Sequence, residues 1–273
     1  MQKQSFNHGW QFQLDNPTKS EWMGPKDAGW RAVELPHDWS IELPRKAENI
    51  SGTAGGYFEM GRGWYRKTIS APREWAGKKV FVEFEGVYMN AEIWLNEHFL
   101  ARHPYGYTTF LVDLTPFLKL GADNLLKVRV DNSHQLNSRW YSGSGIYRPA
   151  WLIVAEPVHL ANWGVYVTTP LVSAETASVR ARWTVCNQTT AAQAVSVRGR
   201  VVGPDGRAVE VLEAAGQIAA GAVGELSAEA AFDRPALWSL DQPSLYRLES
   251  ELRAEGDLVD TAATPFGIRK LEF

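Results

Sequence analysis

The sequence predicts an all-β chain folded as two β-sandwiches, and three observations lead to that class. Short runs in which apolar and polar residues alternate recur along the chain, as expected of strands that bury one face. Turn-forming residues separate these runs. The alanine-rich stretch 214–231 could suggest a helix, but Gly216, Gly221 and Gly224 interrupt every window long enough for a stable one. We therefore interpret it as strand and loop.

The first half of the chain contains three clear strand patterns. The run 80–85 predicts a half-buried strand whose even positions face the core, while Phe81 and two acids share the other face. The run 91–96 repeats the pattern with its odd positions inward, and residues 96–98 predict a tight connection to a hairpin partner. A further strand is predicted at 126–130, after the turn signal at 121–124.

The second half continues with short antiparallel strands. The alternating runs are 179–185, 195–198, 208–211 and 246–253. A Gly-Pro-Asp-Gly sequence at 203–206 supplies the turn before the third run. In the last run Tyr246, Leu248 and Leu252 share one face.

A change in composition near Glu156-Pro157 predicts a domain boundary. Residues 1–156 are dense in Trp, Tyr and Gly and suit a larger sandwich such as a jelly roll. Residues 157–267 are rich in Ala and Val, and their short strands suit an immunoglobulin-like or fibronectin-like sandwich. The single cysteine, Cys186, excludes the disulfide bond of antibody domains.

Several classes of function are disfavoured by composition and spacing. The net charge of −3 arises from interspersed acids and bases, so no nucleic-acid partner is expected. The six histidines show neither i, i+4 pairs nor partner cysteines, which predicts no metal site. No phosphate-binding loop opens a helix, so no cofactor is expected. The polar N-terminus and the lack of a long apolar stretch predict a cytoplasmic protein without a membrane partner.

The strongest candidate for chemistry is the loop 131–148. It combines polar side chains, aromatic residues and permissive glycines after a predicted strand, which suits recognition of a sugar by aromatic stacking and hydrogen bonds. A purely structural loop is the alternative. Because Ser142, Gly143 and Ser144 offer little side chain to anchor the loop in the core, we expect Trp140 and Tyr141 to lie at the surface.

A series of motifs in a fixed order resembles the N-terminal region of glycoside hydrolase family 2, and its β-galactosidases most closely. The motifs are Leu-Pro-His-Asp-Trp at 35–39, Gly-Gly-Tyr-Phe at 55–58, Gly-Trp-Tyr-Arg-Lys at 63–67, Phe-Glu-Gly-Val-Tyr at 84–88, Ile-Trp-Leu-Asn at 93–96, Tyr-Gly-Tyr-Thr at 105–108, Asp-Leu-Thr at 113–115, Ser-Arg-Trp-Tyr-Ser-Gly-Ser-Gly-Ile-Tyr-Arg at 138–148, Leu-Trp-Ser at 237–239, Pro-Ser-Leu-Tyr at 243–246 and Phe-Gly-Ile-Arg at 266–269. They cover essentially the whole chain.

The resemblance implies a galactose-binding-like jelly roll, an immunoglobulin-like sandwich and then a (β/α)8 barrel that carries both catalytic glutamates. That barrel would begin at residues 268–273, so this chain is expected to contain no catalytic residue and to be inactive alone. The first domain is expected to lend side chains to a β-galactoside site completed by the barrel. The candidate carbohydrate-binding residues are Asp131, Asn132, Asn137, Arg139, Trp140 and Tyr141.

Alternatives to this interpretation remain open at the level of sequence. The candidate residues could instead pack the seam between domains. The enzyme could be a β-glucuronidase or a β-mannosidase of the same family, because the barrel chiefly selects the sugar. A free-standing lectin-like module is a different class of function, supported by fold analogy alone, and a protein-interaction module is a third. The oligomeric state is also open, a homo-oligomer included.

Overall fold

The computed structural model describes residues 1–15 and 28–271 and confirms the all-β class. The chain divides into two compact units, one of residues 2–154 and one of residues from 155 onward together with Met1. Each unit is a sandwich of two sheets. Among the described residues of the first unit, three short 3-10 helices occur, at Ser40–Glu42, Arg73–Trp75 and Thr115–Phe117.

The first unit is a jelly-roll sandwich of a six-stranded and a four-stranded sheet. Its strands are β1 (Gln2–Ser5), β2 (Trp10–Asp15), β3 (Arg31–Val33), β4 (Arg62–Ala71), β5 (Lys79–Phe84), β6 (Ala91–Leu95), β7 (His98–His103), β8 (Phe110–Asp113), β9 (Ala122–Asp131) and β10 (Ala150–Ala155). The larger sheet has the order β3-β2-β4-β9-β6-β7 and is antiparallel throughout. The smaller sheet has the order β1-β10-β5-β8.

The second unit is an immunoglobulin-like sandwich of a three-stranded and a four-stranded sheet. Its strands are β11 (Val158–Thr168), β12 (Thr176–Asn187), β13 (Gln193–Val202), β14 (Ala208–Ile218), β15 (Val223–Asp233), β16 (Tyr246–Ala254) and β17 (Asp257–Phe266). The sheets have the orders β11-β12-β15 and β14-β13-β16-β17. Trp183 lies fully buried between them and donates its indole N–H to Ser250 Oγ at 2.9 Å. The alanine-rich stretch forms β14 and β15, as predicted.

Alternation correctly predicted the buried faces of most strands. In β6, Ala91, Ile93 and Leu95 are fully buried. The predicted tight connection is a two-residue turn in which Asn96 and Glu97 have φ of 48° and 71°. Positive φ at both central residues is the geometry that matches the twist of an antiparallel hairpin.

Two strand predictions need correction. Both faces of β5 are buried, so the face that carries Phe81 and Glu83 is covered as well as the face toward the core. Glu83 is fully buried and forms an ion pair with Lys3 at 2.6 Å, which compensates its charge. The turn predicted at 121–124 is also shorter than expected. Strand β9 begins at Ala122, so of these four residues only Gly121 lies in the turn, with φ of 70°.

No helix in residues 1–15 or 28–271 combines the length and apolar character that a membrane crossing requires.

Candidate functional site

Three connections between the two sheets of the first unit meet at one end of the sandwich. Residues 85–90 lead from β5 to β6, residues 104–109 from β7 to β8, and residues 132–149 from β9 to β10. The registers bring these ends together: Ala91 lies opposite His103, Phe84 opposite Phe110, and Glu92 opposite Arg129. The candidate loop 131–148 is therefore surrounded by two other crossing loops.

The centre of the candidate loop is held on both sides by backbone hydrogen bonds. The N–H groups of His37 and Trp39 donate to the carbonyls of Ile146 and Ser144, at 2.8 and 3.1 Å. Opposite them, Tyr88 and Gly145 exchange two hydrogen bonds of 2.9 Å. Gly145 has φ of 128°, and a Cβ there would lie 2.2 Å from the Tyr65 hydroxyl oxygen. Only glycine fits this position without displacing its neighbours.

Asp38, which belongs to the 35–39 motif, holds the candidate loop in place. Its Oδ1 accepts the backbone N–H groups of Ser40 and Ser144 at 3.0 and 2.9 Å. Its Oδ2 accepts the Tyr141 hydroxyl at 2.5 Å. Burial, reinforced by the Asp38 carboxylate, raises the pKa of Tyr141, so this tyrosine remains a neutral donor. Tyr141 is half-buried rather than exposed, and its ring packs on Phe58 with centroids 4.6 Å apart.

Asn132 lies inside the loop and is a structural residue. Its side-chain amide donates to the Gly143 carbonyl and to Ser144 Oγ, both at 2.9 Å, and its Oδ1 accepts from Asn137 Nδ2 at 2.8 Å. Asn132 is fully buried, so in this structure its side chain supports the loop from within, and its assignment as a sugar contact stays a prediction. The expectation of an unanchored loop was also wrong, since residues 142–146 are buried.

Asp131 and Asn137 have much of their hydrogen-bonding capacity occupied within the protein. Oδ1 of Asp131 accepts from the backbone N–H and the hydroxyl of Ser133, at 3.0 and 2.6 Å. Its Oδ2 pairs with Arg129 at 3.2 Å, and the carboxylate is 15% exposed. Asn137 is exposed, and its Oδ1 accepts from the Tyr88 hydroxyl at 3.4 Å. Asn137 can therefore still contact a ligand, whereas Asp131 chiefly caps the end of β9.

Arg139 and Trp140 present the accessible groups of the loop. Arg139 is exposed, and no residue that the structure describes forms a hydrogen bond or an ion pair with its guanidinium. Trp140 is 59% exposed, as predicted, and its indole N–H donates to the Tyr107 hydroxyl oxygen at 2.8 Å. The loop thus combines a buried polar base with an accessible cation and an aromatic ring at the surface.

Comparison with known families assigns both units. A family model described as "Glycosyl hydrolases family 2, sugar binding domain" matches residues 4–156. A second, described as "Glycosyl hydrolases family 2", matches residues 158–269. The chain belongs to glycosyl hydrolase family 2.

Relatives with two different activities cover almost the whole chain. The β-galactosidase BoGH2A of Bacteroides ovatus is 41% identical over 268 residues, which are 98% of this chain and 32% of that protein. A β-glucuronidase of Formosa agariphila is 28% identical over 98% of this chain and 30% of its own length. The crystal structure of a family 2 member from Bacteroides cellulosilyticus superposes with a TM-score of 0.90 at 35% identity, covering 100% of this chain and 36% of that one. The chain thus spans about a third of the length of these family 2 proteins.

Sequence reasoning did not select three residues that lie in this candidate site. Asp38 lies 103 positions from its partner Tyr141, so no local pattern could pair them. Tyr105 and Tyr107 flank Gly106 in the neighbouring loop and are 56% and 38% exposed. Asp38 belongs to the 35–39 motif and the two tyrosines belong to the 105–108 motif. Their place in these motifs of the family resemblance was the signal that could have identified them.

A second buried polar network lies beneath the site. His37 Nδ1 lies 2.6 Å from the Tyr65 hydroxyl oxygen, and His37 Nε2 lies 3.2 Å from the Arg31 guanidinium and 3.3 Å from Glu42 Oε1. Acceptance of the Arg31 N–H by Nε2 leaves Nδ1 as the donor to Tyr65. These contacts favour a neutral imidazole, because a guanidinium only donates. Burial is the main cause that lowers the pKa of His37, against the opposing effect of Glu42.

The depressed pKa of His37 predicts a loss of stability in acid. The unfolded chain takes up this proton near pH 6.5, before the folded chain does, so the free energy of unfolding should fall as the pH drops below about 6.5. Urea titrations between pH 8 and pH 5 should show this fall and a shallower one in His37→Gln. Burial also lowers the pKa of His103, so some slope should persist. Identical slopes in the two proteins would contradict the prediction.

Proposed function

We propose that this chain is the non-catalytic N-terminal region of a family 2 β-galactosidase and that residues 137–141 contact the terminal β-galactoside. The observation that carries the proposal is the exposed Arg139–Trp140 pair, held on a base of half-buried Asp38 and buried Asn132 in the sugar-binding domain. A side chain fixed from below can meet a sugar without the entropic cost of ordering a mobile loop. The 41% identity to a β-galactosidase supports the choice of sugar.

The hydroxyl-rich edge of a galactoside suits the groups available here. Arg139 offers several N–H donors, the Asn137 side-chain oxygen an acceptor, and Trp140 a flat apolar face. A sugar ring has hydroxyl groups at its rim and C–H groups on its faces, so donors and an aromatic face together recognise it.

The chain is expected to hydrolyse no β-galactoside alone. Retaining hydrolysis needs two carboxyl groups about 5 Å apart on either side of the scissile bond. Asp38 and Asp131, the carboxylates described in this site, are committed to backbone N–H groups, a tyrosine hydroxyl and an arginine. Neither is therefore placed to act as nucleophile or acid.

A β-glucuronidase is the second candidate, and Arg139 is the observation that favours it. An exposed guanidinium without a carboxylate partner among the described residues could pair with the carboxylate of a glucuronide. The 28% identity to a β-glucuronidase is in keeping with this alternative.

The test is kinetic and uses the full-length protein that carries this region. We expect 4-nitrophenyl β-galactoside to be hydrolysed faster than the β-glucuronide, and Arg139→Ala to lower kcat/KM about tenfold or more, the loss of about 1.4 kcal/mol of transition-state binding. Arg207→Ala, at an exposed arginine of the second unit, is the matched control and should leave kcat/KM unchanged.

Three results would contradict the proposal or part of it. Faster hydrolysis of the glucuronide would select the second candidate. An Arg139→Ala enzyme with unchanged kinetics would remove the loop from the sugar site. Turnover by the purified 273-residue chain above a blank would refute the non-catalytic assignment.

A further inference from the structure

Three aromatic rings lie exposed in the candidate loop and in the loop next to it, and we name them the aromatic platform: Trp140 of the candidate loop, and Tyr105 and Tyr107 of its neighbour. They are 56%, 38% and 59% exposed. Single exposed aromatic residues are ordinary, but adjoining ones form a patch of the kind that marks binding surfaces. Tyr105 and Tyr107 make an edge contact with centroids 5.6 Å apart, and Trp140 is hydrogen-bonded to Tyr107. The three rings are therefore one surface feature.

The aromatic platform is held rigidly from beneath. Tyr107 packs on Tyr88 with centroids 5.1 Å apart. The Tyr147 hydroxyl donates to the Gly106 carbonyl at 2.8 Å, which fixes the backbone between the two platform tyrosines. Gly106 lies so close to Tyr88 that a Cβ would be 2.1 Å from Cδ2. Rigid rings lose little conformational entropy when a ligand binds.

The chemistry of the aromatic platform suits a neutral saccharide. Residues 104–109 include no charged side chain, so electrostatic attraction to an acidic or basic partner has no source in this loop. The hydroxyl groups of Tyr105 and Tyr107 lie at the edges of apolar rings, which matches the hydroxyl rim and the C–H faces of a pyranose. The family model that matches this unit describes a sugar-binding domain.

We propose that the aromatic platform is a subsite for a second sugar ring, so that the substrate is a β-linked oligosaccharide rather than a simple monosaccharide glycoside. The inference rests on the proposed function, because it places the terminal galactose at Arg139 and the next ring on Tyr105 and Tyr107. Trp140 adjoins both positions.

The test uses this chain, millimolar lactose and saturation-transfer magnetic resonance, which resolves the two rings of the disaccharide. We expect saturation of both the galactose and the glucose protons. Tyr105→Ala should lower the glucose signal about fivefold or more, while Arg139→Ala should chiefly lower the galactose signal. Tyr105→Phe keeps the ring and should keep most of the glucose signal. Tyr166→Ala is the matched control, since Tyr166 is also 56% exposed but belongs to the other unit.

The outcomes separate this inference from the proposed function. A glucose ring without saturation, or with equal saturation in Tyr105→Ala and Tyr166→Ala, overturns the subsite. The glucose signal could depend on Tyr105 while the galactose signal is unchanged in Arg139→Ala. That result would support the subsite and would count against Arg139 as the terminal-sugar contact. Melting curves of each variant test whether unfolding causes a lost signal. We expect none of them to unfold, because Tyr105 and Tyr166 are each 56% exposed.

Discussion

Gly145→Ala is expected to destabilise the first unit more than any other alanine substitution in the candidate loop. The new Cβ would lie 2.2 Å from the Tyr65 hydroxyl oxygen and 2.6 Å from the His37 carbonyl oxygen. Overpacking of this kind costs about 1–3 kcal/mol. The φ of 128° adds backbone strain of about 1–3 kcal/mol for a residue with a Cβ. Urea unfolding followed by circular dichroism measures the sum as a lower transition midpoint.

Gly77→Ala is the matched control for this substitution. Gly77 belongs to the same unit and also has positive φ, 77°, but apart from its two chain neighbours no described residue has an atom within 4 Å of the position that a Cβ would take there. It should therefore show only the cost of the left-handed conformation, about 1–2 kcal/mol. If Gly145→Ala costs no more than Gly77→Ala, the close packing of residues 144–146 between the 37–39 segment and Tyr88 is refuted.

Trp10→Ala is expected to cost about 3–5 kcal/mol of unfolding free energy, the usual range for deleting a buried aromatic side chain. Trp10 is fully buried in the core of the first unit and contacts Phe6, Tyr65 and Phe84. Its indole N–H donates to the Phe6 carbonyl at 2.7 Å, so the substitution also removes a buried donor from that acceptor. Denaturant unfolding provides the measurement.

Trp140→Ala is the contrasting substitution in the same unit. The indole of Trp140 is 59% exposed, so its removal should change the unfolding free energy by about 0.5 kcal/mol or less. A loss comparable to that of Trp10→Ala would show that Trp140 supports the fold and would argue against a role in sugar binding.

Local pattern was sufficient wherever a residue's environment follows from its neighbours along the chain. The alternation of residues 91–95 predicted which side chains β6 buries, since successive residues of a strand point to opposite faces. The turn at Asn96 and Glu97 was predictable for the same local reason. Sequence likewise predicted that Trp140 is exposed.

Pattern failed where a second layer or a distant segment decides the environment. Glu83 was expected at the surface, but an interior strand covered on both faces buries it beside Lys3. The burial of Asn132 was likewise not visible in the sequence, since its amide supports the turn at Gly143 and Ser144. The partner of Glu83 is Lys3, which is distant along the chain. The partners of Asn132 are Gly143 and Ser144, which lie on the other side of the loop.

The sequence by itself determined the all-β class, the faces of most strands, the family and the loop in which the candidate site lies, because these depend on short-range periodicity and on motif order. Apart from the exposure of Trp140, only the tertiary structure decided which loop residues are accessible. Asp38 meets Tyr141 across 103 positions, and Tyr107 meets Trp140 across 33, because crossings between two sheets bring distant segments to one end of the sandwich. That convergence buries Asn132 and leaves Arg139 and the aromatic platform exposed.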